Sequence, residues 1–305
     1  MSEFRIVFMG TPEFAVPTLD ALLKKPYKVT GVITAPDKPR GRGQRMSFSP
    51  VKDYALEHGL PILQPVSLKD EGFIRDLKSL NASLFVVVAF RMLPEAVWKM
   101  PDLGTINLHG SLLPEYRGAA PVNWVLINGE IQTGLTTFYI DREIDTGKMI
   151  LQEKEDIFPE DDAGCLHDRL MIKGADLVLK TVEIIRIGKA IPVDQPLEYT
   201  GKKAPKITKD LCRIDFRKTA IEIYNLIRGL SPSPGAFTEV HSKNVKIFKA
   251  RAEEGQLSLP PGDFSTDNRT FLKFMTGKGI INVLELQAEG RKRMPVSEFF
   301  KGNKL

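Results

Sequence analysis

TINLHGSLLPEYRGAAPV, residues 105–122, is the most informative segment of this chain of 305 residues. It opens with a short apolar run, which predicts a buried strand of a parallel sheet, and continues into a loop rich in glycine and proline. Because side chains alternate along a strand, Asn107 and His109 are expected on the same face where the strand ends. Open α/β sheets place their chemistry at such strand ends. This strand end is therefore the candidate active site.

The rest of the first two-thirds alternates between strand-like and helix-like patterns. Phe4–Phe8, Tyr27–Thr34 and Leu84–Phe90 are apolar runs of strand length, whereas 162–187 has the apolar spacing of a long helix. Strands that alternate with helices predict an α/β fold with an open parallel sheet.

The chain is expected to contain a catalytic domain, a linker and a smaller second domain. We place the catalytic domain at 1–189 and an extended, proline-containing linker at 190–207. Residues 208–305 contain one helical pattern followed by short strand-like runs, which predict a small β-rich, barrel-like module.

Composition excludes several classes of protein. The chain is 42% hydrophobic and 27% charged, as in ordinary globular proteins, and no apolar run approaches the ~18 residues that a membrane span needs. The N-terminus lacks the features of a secretory signal, so we expect a cytoplasmic protein. Cys165 and Cys212 lack Cys-x-x-Cys spacing, which argues against a disulfide scaffold or a zinc site. No metal is expected.

Positive charge is concentrated in two places. Residues 1–197 carry 23 Lys and Arg against 26 Asp and Glu, whereas 208–305 carry 17 against 11, which suggests that the last third faces a polyanion. The segment 35–50 also carries four cations against one acid, Asp37, and its prolines and glycines predict a loop without regular structure. It is either a mobile solvated loop or an arm that contacts nucleic-acid phosphate and sugar. We favour the arm because its charge adds to that of the last third.

A third candidate residue, Asp145, lies in DREIDTG, between two strands expected to border the central one. A carboxylate beside His109 would fix its tautomer and favour its charged form, and the Asn107 amide could hold an oxygen that becomes negative. The G-x-S-x-G motif of a serine nucleophile is absent from the sequence. We therefore predict acyl transfer to an outside nucleophile, without a covalent enzyme intermediate. From the residues alone, a purely structural His109 remains open.

Five motifs together carry a resemblance to a known family. GTPEFA (10–15), TAPDKPRGRG (34–43), QP (64–65), INLHGSLLPEYRGAAPVNW (106–124) and IDTG (144–147) resemble the 10-formyltetrahydrofolate-dependent formyltransferase superfamily. The resemblance extends over nearly the whole chain. The basic loop and the basic last third are similar to the branch of this superfamily that acts on tRNA.

The resemblance implies an enzyme that moves the formyl group of 10-formyltetrahydrofolate to the α-amino group of methionyl-initiator tRNA, for translation initiation. It implies catalytic roles for Asn107, His109 and Asp145. It implies folate binding by the SLLP segment, Ser111, Leu112, Leu113 and Pro114, and tRNA binding by Lys38, Arg40, Arg42 and Arg45. It also implies a Rossmann-like domain followed by an OB-like barrel. We expect a monomer without contact to a membrane.

Several alternatives stay open at this point. His109 could act as a base or as a cation that stabilises the oxyanion. Leu112 and Leu113 could contact the folate or simply anchor the loop in the core, and Tyr116 and Arg117 are expected to brace that loop. The acceptor could instead be a sugar amine or glycinamide ribonucleotide. A non-catalytic RNA-binding protein on the same fold is disfavoured, because a protein without catalytic activity would not require all three candidate catalytic residues.

Overall fold

The computed structural model describes residues 3–40, 45–196, 201–255 and 259–303. It divides into two compact units. The first unit comprises Met1–Gly118, Gly134–Glu155 and His167–Lys202, and the second comprises Ala119–Thr133, Asp156–Leu166 and Lys203–Leu305. None of the helices in the described ranges is long and apolar enough to cross a membrane. The predicted boundaries of catalytic domain, linker and second domain stay a prediction.

The described residues form the following elements in chain order. The strands are β1 (Arg5–Gly10), β2 (Lys28–Ile33), β3 (Lys38–Arg40), β4 (Arg45–Ser47), β5 (Ile62–Leu63), β6 (Leu84–Val88), β7 (Thr105–His109), β8 (Arg117–Gly118), β9 (Gln132–Tyr139), β10 (Met149–Asp156), β11 (Lys203–Ala204), β12 (Ala236–Val240), β13 (Lys243–Glu253), β14 (Phe264–Thr266), β15 (Leu272–Met275), β16 (Ile280–Ala288) and β17 (Met294–Pro295). The helices are α1 (Val16–Leu23), α2 (Pro50–Glu57), α3 (Glu71–Ser79), α4 (Glu95–Trp98), α5 (Pro121–Ile127), α6 (Ala163–Arg186), α7 (Ala220–Leu230) and α8 (Val296–Phe300), with a 3₁₀ turn at Glu13–Ala15.

The predicted Rossmann-like sheet is confirmed. Seven strands of the described residues lie in the order β10-β9-β7-β6-β1-β2-β5. Strands β5, β2, β1, β6 and β7 run parallel, whereas β9 pairs antiparallel with β7, so the sheet is mixed rather than parallel throughout. All five residues of β6 are buried, as are the last five of β1, because both faces of the sheet are covered.

The expectation of a loop without regular structure at 35–50 is wrong in part. Lys38–Arg40 and Arg45–Ser47 pair as an antiparallel hairpin, with Lys38 opposite Ser47 and Pro39 opposite Met46. A proline is tolerated in such a ladder because each strand has an edge on which no N–H is needed. We call residues 38–47 the basic hairpin.

The predicted barrel-like fold of the last third is also confirmed. Its described strands form a sheet in the order β12-β13-β16-β15-β14, with β17 paired to β16. The register of β13 against β16 shifts on both sides of Lys249, and such bulges bend a strand, so the sheet curls into a half-barrel. Helix α7 begins at a capping box of Thr219 and Glu222 and packs Ile223 and Ile227 into the core of this sheet.

Candidate active site

Strand β7 delivers the first two candidate residues. It lies between β6 and β9, with Asn107 opposite Phe138 and His109 opposite Thr136 on the antiparallel side. His109 is buried, whereas Asn107 is partly exposed. Within the described part of the chain, the Asn107 side chain has no hydrogen-bond partner. Its amide is therefore available to bind a substrate oxygen.

Both ring nitrogens of His109 face oxygen atoms. The Nε2 atom lies 2.9 Å from the carbonyl oxygen of Tyr116, and because a carbonyl can only accept, Nε2 carries the proton of this bond. The Nδ1 atom lies 3.7 Å from Oδ2 of Asp145, which is longer than a hydrogen bond but close enough for the carboxylate to stabilise positive charge that forms on the ring. The two side chains are only 6% and 14% exposed.

Asp145 is held in an unusual backbone conformation. Its φ is +57°, in the left-handed region that Asp and Asn tolerate better than most residues. Its Oδ2 accepts a hydrogen bond of 2.9 Å from the backbone N–H of Gly118. Two residues later, a Cβ at Gly147 would lie 1.7 Å from the carbonyl oxygen of Tyr139, so this position admits only glycine. The loop 141–147 is thus held by the Gly118 N–H at the Asp145 carboxylate and by close backbone packing at Gly147.

Gln195 is a residue of the site that sequence reasoning missed. Its side chain is buried and donates from Nε2 to the carbonyl oxygens of Asp145, at 2.9 Å, and Gly147, at 2.8 Å. Its Oε1 accepts from Nε and Nη2 of Arg117, at 3.1 and 2.6 Å. Arg117, expected to brace the loop, does so through this amide. No motif or spacing pointed to Gln195, because it falls in the segment that we expected to be a linker.

The SLLP segment turns half of its side chains inward. Ser111 is fully buried, with its hydroxyl donating to the carbonyl oxygen of Glu115 at 2.6 Å, and Leu113 is 3% exposed. Leu112 and Pro114 are partly exposed. Thr136 of β9 fixes the segment, since its hydroxyl donates to the carbonyl oxygen of Ser111 at 2.7 Å and accepts from the N–H of Leu113 at 3.0 Å.

The predicted tRNA-binding residues lie in or near the basic hairpin. Lys38 is exposed in β3, and Arg40 and Arg45 belong to β3 and β4, whereas Arg42 lies outside the described residues. The acid of this segment, Asp37, is already paired. Its carboxylate accepts from Lys52 at 2.5 Å and from Gln64 at 2.8 Å.

The ammonium group of Lys52 holds the pKa of the Asp37 carboxyl below its usual range. Asp37 is therefore ionised at neutral pH, with its charge balanced by a cation outside the hairpin.

The strand end thus combines an amide donor without a partner among the described residues, a buried imidazole and a nearby carboxylate. An amide N–H can stabilise an oxyanion, and an imidazole oriented by a carboxylate can move a proton or stabilise negative charge. Among the residues that the structure describes, no group of three or more His, Cys, Asp or Glu could hold a metal ion.

Comparison with known proteins gives matches over almost the whole chain. The family model described as formyl transferase matches residues 4–182, and the model of the formyl transferase C-terminal domain matches residues 206–304. A methionyl-tRNA formyltransferase of Azobacteroides pseudotrichonymphae genomovar. CFP2 is 51% identical over 313 residues, which cover 99% of this chain and 97% of that protein.

Solved structures show the same fold at much lower identity. An N-formyltransferase from Helicobacter canadensis, in complex with folinic acid and dTDP-3-aminofucose, has a TM-score of 0.70 at 20% identity, covering 95% of this chain and all of the other. HypX from Aquifex aeolicus, in complex with tetrahydrofolic acid, has a TM-score of 0.67 at 18% identity, and although 99% of this chain is covered, the match spans about half (48%) of HypX. The two family models together match far more than half of the chain. The chain belongs to the formyl transferase family.

Proposed function

We propose that this enzyme transfers the formyl group of 10-formyltetrahydrofolate to the α-amino group of methionyl-initiator tRNA. The observation that carries the proposal is the meeting of Asn107, His109 and Asp145 at one strand end in a chain of the formyl transferase family. The acceptor is supported by the relative of 51% identity, which carries the name methionyl-tRNA formyltransferase. The product, N-formylmethionyl-tRNA, is used to start translation.

The reaction is an acyl transfer in which the protein forms no covalent bond. The amine nitrogen of the aminoacyl group attacks the formyl carbon, and the carbonyl oxygen becomes an oxyanion. The bond from this carbon to N10 of the folate then breaks, and a proton that leaves the amine ends on N10. Removal of one oxyanion donor typically costs about 3 kcal/mol of barrier, and a positioned acid or base contributes ~10²–10⁴ in rate.

The three residues have separate roles in this scheme. The Asn107 amide, which has no partner among the described residues, donates to the oxyanion. His109 lies beside it and, with Asp145 3.7 Å from its Nδ1, stabilises the developing charge and helps the proton to reach N10. Because Nε2–H already donates to the carbonyl of Tyr116, the proposal assigns His109 no role as a base at Nε2.

The folate donor binds along the SLLP segment in this proposal. Ser111 and Leu113 point into the protein and anchor the segment, so contact with the folate falls to the partly exposed Leu112 and Pro114 and to the backbone. No metal takes part in the proposed reaction.

The tRNA acceptor binds through positive charge. The proposal assigns the basic hairpin to this contact through Lys38, Arg40, Arg42 and Arg45. The excess of cations in residues 208–305 supports a second contact with the same polyanion. A monomeric enzyme in the cytoplasm belongs to the same proposal, and size-exclusion chromatography with light scattering tests its oligomeric state.

A single assay tests the reaction and its acceptor together. The purified chain is given 10-formyltetrahydrofolate and charged initiator tRNA, and formylmethionine is measured after the ester is hydrolysed. A dTDP-amino sugar replaces the tRNA in a parallel arm, and Asn107→Ala serves as the control with reduced activity. We expect product only with the charged tRNA. Product with the amino sugar and none with tRNA would refute the acceptor and leave the formyl transfer standing.

The hairpin contact is tested by its salt dependence. Replacing Arg40 and Arg42 by Ala should raise KM for tRNA and flatten its dependence on salt, because each lost phosphate contact lowers the salt slope by about one unit. The KM for the folate should stay unchanged. Arg75→Ala with Lys78→Ala is the matched control, since it removes two exposed cations from α3. Equal salt slopes for the wild type and the hairpin variant would contradict the assignment.

A further inference from the structure

The side chain of Gln195 uses its full hydrogen-bonding capacity inside the first unit. An amide has two N–H donors and two acceptor lone pairs. Within the described ranges, Nε2 donates to two carbonyl oxygens, of Asp145 and Gly147, and Oε1 accepts two N–H groups from Arg117. Gln195 is 8% exposed, so leaving any of these groups unpaired would cost stability. We call these four bonds the Gln195 clasp.

Local pairing puts Gln195 in place. Met149, at the start of β10, forms an antiparallel bridge with Val193, with backbone bonds of 2.8 Å in both directions. Lys148 and Asp194 form an ion pair at 3.2 Å beside this bridge. The segment 193–195 therefore runs along the start of β10, which leaves the loop 141–147, and brings the Gln195 side chain to that loop.

The clasp connects the two loops that hold the candidate catalytic side chains. Arg117 lies between Tyr116, whose carbonyl accepts from His109, and Gly118, whose N–H binds the Asp145 carboxylate. On the other side, the clasp binds the backbone of Asp145 itself, which sits at a positive φ. A non-glycine residue keeps such a conformation only where its surroundings fix it. Two bonds of the clasp, from Gln195 to the carbonyl oxygens of Asp145 and Gly147, help to fix this conformation.

We propose that Gln195 and Arg117 are positioning residues that keep the Asp145 carboxylate in place against His109. This inference rests on the function proposed above. Neither residue needs to touch a substrate, because each acts through the backbone of residues 116–118 or 145–147. Misplacing a catalytic group by about 1 Å can cost about 10²-fold in rate, so the loss of the clasp should appear in kcat.

The main test is Gln195→Leu, which removes all four bonds and roughly keeps the side-chain volume. We expect kcat to fall about 10- to 100-fold, with KM for folate and for tRNA within about threefold of the wild type. Gln132→Leu is the control, since this exposed glutamine bonds to Asp156 and lies outside both loops. It should keep wild-type kinetics. Thermal melting of each variant shows whether it is folded under the assay conditions.

A double-mutant cycle separates positioning from a general structural role. If Gln195 acts through Asp145, then adding Gln195→Leu to Asp145→Asn should cost less than about threefold, because the group it positions has already lost its charge. Independent multiplication of the two losses would overturn the proposal. So would a Gln195→Leu variant with a kcat within about threefold of wild type.

A second variant, Gln195→Glu, can replace Gln195→Leu in the double-mutant cycle if Gln195→Leu does not fold. Gln195→Glu can keep the bonds from Arg117 but loses both donors to the loop 141–147, so the same fall in kcat and the same non-additivity are expected. Additive losses here would again refute the proposal. Failure of the proposed function looks different, because the wild-type chain itself would then form no formylmethionyl-tRNA.

Discussion

Replacing Asp145 by Asn removes one negative charge beside the imidazole and changes little else. The carboxylate lies 3.7 Å from Nδ1 of His109 and accepts from the N–H of Gly118. An Asn side chain has nearly the same shape, and its carbonyl oxygen can still accept that N–H. The substitution therefore isolates the electrostatic effect of Asp145 on His109 from its effect on the loop.

The separation of the two groups sets the size of this effect. When the imidazole becomes charged in the transition state, two unit charges 3.7 Å apart would interact by about 4.5 kcal/mol at an effective dielectric constant of about 20. Part of this is screened, since the Asp145 side chain is 14% exposed, and only the part that is stronger in the transition state affects the rate. With about 1.4 kcal/mol for each factor of ten, we expect kcat to fall by roughly 10²–10³.

The assay is single-turnover formylation of charged initiator tRNA at saturating folate, with Asp141→Asn as the matched control. Asp141 lies in the same loop, is exposed, and accepts through Oδ1 from Glu143 N–H and the Thr146 hydroxyl, which an Asn oxygen can also do. It should keep the wild-type rate. A rate for Asp145→Asn within about threefold of wild type would refute the electrostatic reasoning, since that loss is below 1 kcal/mol. Equal losses in both variants would show that the loop, and not the charge near His109, is responsible.

Three further substitutions test other parts of the argument. Asn107→Ala should lower kcat by about 10²–10³ with little change in KM for the folate, as measured by steady-state kinetics, and a change confined to KM would contradict its role as an oxyanion donor. Phe274→Ala should cost about 3–5 kcal/mol in urea unfolding, because Phe274 is 1% exposed and stacks on Phe216 at 4.8 Å. Thr219→Ala should cost about 1 kcal/mol in the same experiment, since Thr219 caps α7, and no loss would show that the cap is not needed.

Local periodicity explains why so much of the fold could be predicted. The buried strands and the long helix α6 have apolar patterns that depend on a few neighbouring residues, so their existence follows from short stretches of sequence. The same alternation put Asn107 and His109 on one face. The loop from β9 to β10 was expected near this strand end, and the Asp145 carboxylate lies 3.7 Å from the imidazole.

The remaining parts of the site depend on groups that have no signature in the sequence. The carbonyl of Tyr116 and the N–H of Gly118 are backbone atoms, which every residue but proline carries in the same form. Gln195 reaches the site from a segment whose composition predicts only an extended chain. The sequence did not predict the basic hairpin, because its glycines and prolines are typical of loops and its two strands are short.

Strand β9 turns out to organise the site as much as β7 does. Its Thr136 hydroxyl holds the SLLP segment, and its C-terminal end leads directly into the loop that carries Asp145. The strand is closely packed at Gly134, where a Cβ would lie 2.2 Å from the carbonyl oxygen of Glu153 and 2.5 Å from Cδ2 of Leu112. Because the same strand holds the proposed folate-binding segment and the carboxylate, a shift of β9 would move both together relative to His109. The relative placement of the proposed folate-binding segment and the Asp145 carboxylate thus depends on the packing of β9 as well as on the Gln195 clasp.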